Sequence, residues 1–221
     1  MPVAPGLLLA LAALAGGCAG GASESRPPAD DYLRYVGFDL PFSENVLLHW
    51  SRRQMPLRVH LPQPPEGFYA DPVAVLDVVR EGVTDWTDAA EPGLPSFAFV
   101  ETPGEADIQI AWALEPSGDW YVAHCVYSQT VFSKQFAVDR ILVTARRRGR
   151  EPSLDAIYTT MLHEVGHALG LGGHSPEPGD VMYRRGNADR RPELTERDRA
   201  TLRALYEKPN GHRVTGPKRA D

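Results

Sequence analysis

Cysteine is nearly missing from this chain of 221 residues. Only Cys18 and Cys125 occur, which excludes a small scaffold stapled by several disulfides. Lysine is almost as scarce, since 20 of the 23 basic residues are arginine. The 29 acidic residues outnumber the basic ones and leave a net charge of −6, so the basic face that nucleic-acid binding needs is lacking. The one cluster of positive charge, Arg146, Arg147, Arg148 and Arg150, reads as a solvated loop. Repeats are absent too, which removes solenoids and collagen-like folds. What is present is 43% hydrophobic and 24% charged residues, the composition of one globular domain with short appendages.

The longest apolar run, Leu7 to Leu14, is too short for a bilayer span. It ends in Ala15, Gly16 and Gly17 ahead of Cys18, the pattern of a secretory signal peptide over 1–18. Those small residues resemble the lipobox of bacterial lipoproteins, which implies export and membrane attachment through a lipidated Cys18 in the cell envelope. Cys125 then lacks a partner and reads as a small buried apolar residue, a Cys18–Cys125 disulfide being the alternative. Residues 19 to about 31 read as a flexible tether, and the rest of 19–55 shows no assignable pattern.

The folded domain is expected over 56–208. Leu57, Val59 and Leu61 alternate with Arg58 and His60 as in a half-buried strand. Asp71-Pro72 opens a helix in which Val75, Leu76, Val79, Val83 and Trp86 recur at helical spacing. Strands are expected at Phe97–Val100, Ile108–Trp112, Tyr121–Tyr127 and Ile141–Val143. A strong helix runs from about Leu154 to Leu169, and another from Glu196 to Tyr206 with Thr195 as N-cap. The polar residues 209–221 read as a flexible tail. The layout is α+β.

Residues 163–174 read His-Glu-Val-Gly-His-Ala-Leu-Gly-Leu-Gly-Gly-His. His163 and His167, four apart, stack one turn above the other on a helix and can share one Zn²⁺. Glu164 projects beside that metal, poorly placed as a ligand but well placed to hydrogen-bond water there. At about 100° per residue, Leu154, Ile157, Tyr158, Met161, Leu162, Val165, Ala168 and Leu169 form one apolar arc, with the histidines opposite. Gly170 can stop the helix in a left-handed conformation and swing the chain back. His174 then brings a third nitrogen; Asp180 and Glu193 are alternative third ligands.

This segment resembles the metzincin zinc peptidases, and within them the matrixin-like catalytic domains (matrix metalloproteinase type). Their pattern places the last histidine three residues after the glycine, where this chain has Gly173, so His174 sits one residue late. Gly172 and Gly173 make such a bulge cheap. Asp180-Val181-Met182-Tyr183 matches the methionine turn of matrixins, with Met182 as the floor of the site and Tyr183 not a ligand. The resemblance implies a metzincin-like zincin fold: a small mixed twisted sheet, an early helix, a central active-site helix and a closing C-terminal helix. It implies a monomeric zinc endopeptidase, with one catalytic Zn²⁺ on His163, His167 and His174, Glu164 as general base, and Gly170 and Met182 as structural support. It implies a polypeptide substrate extended along an edge strand, for which Tyr121–Tyr127 is the candidate. Tyr183 to Pro192 would shape the pocket beyond the scissile bond, where Arg184, Arg185 and Arg190 could favour acidic groups or simply be solvated. Structural Ca²⁺ or a second Zn²⁺ stays open. His49, His60, His124 and His212 are read as ordinary surface or core histidines. The alternative function is a non-catalytic zinc-binding lipoprotein of the same fold.

Overall fold

A computed structural model of the chain describes residues 31–38, 45–87, 94–115, 122–130, 135–185 and 191–215. The expected signal peptide with Cys18, the expected tether through residue 30, Tyr121 and Arg190 lie outside the described residues.

The elements follow in the order β1 (Val46–Leu47), β2 (Leu57–His60), α1 (Pro72–Thr84), β3 (Phe97–Val100), β4 (Ile108–Ala113), β5 (Ala123–Thr130), β6 (Gln135–Thr144), α2 (Leu154–Ala168), α3 (Glu196–Glu207) and β7 (His212–Arg213). The sheet runs β3-β2-β4-β6-β5; β5 is antiparallel to β6 and the other pairings are parallel. β5 therefore forms one edge. Leu57, Val59, Ile108, Ile110, Ile141 and Val143 turn one buried face of the sheet toward the core. Phe136 and Val138 are buried as well, although two odd and two even positions of one strand cannot share a face in regular pleating. The irregularity at Val126/Tyr127, where Arg140 and Val138 are successive partners, takes up Asp139 and switches the phase.

Each helix begins where its sequence provides a cap. Asp71 accepts from Ala74 N at 3.0 Å with Pro72 in the first turn, and Ser153 accepts from Ala156 N at 3.2 Å. Thr195 and Asp198 form a reciprocal capping box. In α1 Val75, Val78, Val79 and Val83 are buried, while Leu76 is only half-buried. Gly82 lets α1 approach α2: a Cβ there would lie 2.9 Å from Met161 Cβ. Trp86 seals the contact by donating its indole N–H to Leu162 O at 2.6 Å. The apolar arc of α2 is buried apart from Leu154, and Glu164 and His167 are buried too, so this helix is enclosed nearly all round. No helix among the described residues is long and apolar enough to cross a membrane.

Two boundaries differ from the sequence reading. The domain does not begin near Pro56: Tyr32, Val36, Phe38, Leu47 and Leu48 are fully buried in the core. They lie on irregular chain, a single 3₁₀ turn and a two-residue strand, where no period exists to read. Nor is the start of the tail loose. β7 pairs with β1, Gly211 N donates to Leu47 O at 2.8 Å, and the Asn210 amide brackets the His49 backbone in both directions.

Candidate metal centre

Helix α2 sets His163 and His167 one turn apart, with ring centroids 4.8 Å from each other. After Ala168 the helix stops in a Schellman turn: Gly170 N donates to His167 O at 3.0 Å and Leu171 N to Gly166 O at 3.1 Å. Gly170 has φ +106°, and a Cβ there would overlap Leu48 O, so only glycine fits. The turn carries His174 back until its ring centroid lies 5.2 Å from that of His163 and 5.1 Å from that of His167. One ligand nitrogen from each of the three rings falls within 4.8 Å of the other two. Gly172 and Gly173 do less as a bulge than as clearance. Neither has a positive φ, and a Cβ on Gly172 would lie 2.6 Å from Phe38 Cε1 while one on Gly173 would overlap Tyr35 O.

The hydrogen bonds around the rings identify the protonated nitrogen of each helical histidine. His163 Nδ1 lies 2.8 Å from Val181 O, and His167 Nδ1 lies 2.6 Å from Leu171 O. A carbonyl oxygen only accepts, so both Nδ1 atoms carry protons, and in the neutral ring Nε2 is then the atom able to ligate a metal. Burial holds the His163 pKa below its ordinary value, which favours the neutral, ligating form. Three neutral imidazoles in a group of this size suit Zn²⁺, whose catalytic sites take three protein ligands at about 2.0–2.1 Å from histidine nitrogen. The donor set fits.

Met182, which follows the residue whose carbonyl meets His163, is fully buried against Gly166. The methionine turn is tied through Ser175 N to Met182 O at 2.8 Å and Tyr183 N to Asp180 O at 3.1 Å. Asp180 is engaged elsewhere: it accepts from Ser175 Oγ at 2.5 Å, Thr195 Oγ1 at 2.9 Å and Arg197 Nε at 3.1 Å. Glu193 lines a separate cavity with Asp85 and Tyr158. Among the described residues neither joins the histidine group.

Glu164 is buried beside the group, and its carboxylate accepts the backbone N–H of Cys125 on β5 at 2.7 Å. Burial pushes its pKa up to about 7, against the opposing pull of the Cys125 bond. A divalent cation alongside would draw the value down. Cys125 is a free, buried thiol, and burial raises its pKa well above the usual range. The matrixin family model matches residues 49–207.

The chain belongs to the matrixin family. It is a zinc-dependent metalloendopeptidase that acts on polypeptides, with an α+β fold and a histidine triad that suits the catalytic zinc. No curated protein matches the chain. Of the remaining histidines in this matrixin, His49 is buried against the Tyr206 ring, His60 is half-buried, and His124 and His212 are exposed. Arg184 and Arg185 are exposed, while Arg191 pairs with Glu81 and Asp155 and lies over the Tyr158 ring. Sequence reasoning missed Gly166, Asp198 and the carbonyls of Leu171 and Val181. A glycine inside a strong helix was a readable signal; backbone carbonyls leave none.

Proposed function

We propose that His163, His167 and His174 hold the catalytic zinc through Nε2 of the two helical histidines and the third ring, and that Glu164 is the general base. Zinc held there supplies Lewis acidity, polarising the scissile carbonyl and acidifying water. Glu164 takes the proton from the attacking water and returns it to the leaving amine. Its bond to Cys125 N fixes one carboxylate oxygen, so the other is the one that works on the proton. The same bond sets the base against β5, the sheet edge along which an extended substrate adds as a further strand. The loop after Met182, with Arg184, Arg185 and Arg190, borders the pocket beyond the scissile bond. The matrixin works as a monomer outside the cytoplasm, with Cys18 as the point of lipid attachment.

The observation that carries this reading is the buried carboxylate of Glu164, placed between the histidine group and the edge strand. Glu164→Gln is expected to retain one zinc per chain while cleavage of a peptide library falls at least ~10²-fold, the lower end for loss of a positioned base. Zinc binding without cleavage in the wild type would instead favour the non-catalytic lipoprotein.

A further inference from the structure

Residues Tyr32–Phe38 precede the matched part of the chain, 49–207, yet they pack on both loops that orient the histidines. On one side Gly172 N, next to the carbonyl that holds His167, donates to Val36 O at 2.8 Å. On the other side the contact is a line of buried hydrogen bonds. The Tyr32 hydroxyl donates to Asp198 Oδ1 at 2.5 Å, and Asp198 Oδ2 accepts from Val181 N at 3.0 Å. The carbonyl of that same Val181 receives His163 Nδ1 at 2.8 Å. Tyr32 and Asp198 are both 0% exposed, so water cannot substitute for a lost partner. Tyr32 is anchored in turn, its own N–H donating to Thr201 Oγ1 at 3.0 Å.

The two oxygens of Asp198 divide the work. Oδ2 serves Val181 N, Thr195 N and Thr195 Oγ1, while Oδ1 takes the phenol. Losing the phenol leaves one oxygen of a buried carboxylate without that bond, and any rotation to recover one draws Oδ2 away from the Val181 peptide. We infer that Tyr32 is a positioning residue for the zinc ligand His163, acting through Asp198 and the Val181 peptide. The chain just before the matched region thereby becomes a working part of the metal centre. The inference rests on His163 being a ligand, but it does not require peptidase activity.

Zinc affinity, measured by competition with a chelator, tests it. Tyr32→Phe removes one oxygen and keeps the ring; it is expected to weaken zinc binding about 10-fold, at the low end for partners that orient a ligand. Asp198→Asn is expected to weaken it more. Because Tyr32 acts through Asp198, the double variant should bind zinc no worse than Asp198→Asn alone. Val59→Ala in β2 is the comparison: it lowers the stability of the metal-free protein and should leave zinc affinity unchanged. An unchanged constant in Tyr32→Phe, multiplicative losses in the double variant, or an equal loss in Val59→Ala would each overturn the inference. Should Asp198→Asn fail to fold, Tyr32→Phe against Val59→Ala decides. A shifted zinc constant in a protein that cleaves nothing would uphold this inference and sink the peptidase reading alone.

Discussion

A methyl group on residue 166 would overlap Met182 Sδ and lie 2.9 Å from Trp86 Cζ2. Glycine inside a helix ordinarily costs about 1 kcal/mol relative to alanine, so its presence there needs a reason, and the methionine turn supplies one. Gly166→Ala gains that propensity but overpacks a closed site, typically at about 1–3 kcal/mol. It also pushes Met182 and with it the neighbouring Val181 carbonyl that holds His163. The variant is expected to melt below wild type and to bind zinc more weakly; a melting temperature at or above wild type refutes the packing argument. At this scale the sequence shows side chains and hides backbone. His163, Glu164 and His167 were readable because helical spacing converts directly into geometry. His174 stood one residue off the family pattern, and whether its ring faced the pair depended on the Gly170 turn and the clearance at Gly172 and Gly173. Comparing Asp180→Ala with His174→Ala tests His174 against Asp180 as third ligand: the first should keep one zinc per chain, the second should lose it.

Elements were legible where a cap and a period coincide. Asp71-Pro72, Ser153 and Thr195 each start a helix, and the apolar spacing behind each identifies the buried face. Strand β6 was legible only in part, because the irregularity opposite Val126/Tyr127 changes which residues face inward midway along it. Closing helix α3 shows what a cap does beyond its own turn. Thr195 Oγ1 receives Asp198 N at 3.1 Å and donates toward Asp198 Oδ2 and Asp180 Oδ1, joining the start of α3 to the methionine turn. Thr195→Ala removes the cap, typically about 1 kcal/mol, together with the link to Asp180. Its urea midpoint should fall while the dependence on denaturant stays the same. If Thr195→Ser restores the midpoint and Thr195→Val does not, the hydroxyl rather than the methyl group is responsible.

Across the whole molecule, both ends of the described chain are tied to the body of the domain: Tyr32 is buried and bonds to α3, and the exposed β7 closes on β1 beside Asn210 and His49. Neither end was readable, since irregular chain and two-residue strands carry no period and owe their order to partners more than 150 residues away. Cys125 is a free thiol, so among the described residues no disulfide braces this arrangement. The histidine group is then the natural cross-link, joining α2 to the loop that reaches the methionine turn. A ligand that binds only the folded state stabilises it by RT ln(1 + [L]/Kd), about 4 kcal/mol at a thousandfold excess over Kd. For a domain of this size each kcal/mol moves the melting temperature by roughly 2–4 °C, so zinc removal should lower it by about 8–16 °C. Glu164→Gln should show the same zinc-dependent shift as wild type, because the base bears on chemistry and not on holding the ion, whereas His163→Ala should show almost none. Calorimetry of the three proteins with and without zinc measures this directly. An equal shift in His163→Ala would place the stabilising ion somewhere other than the three rings.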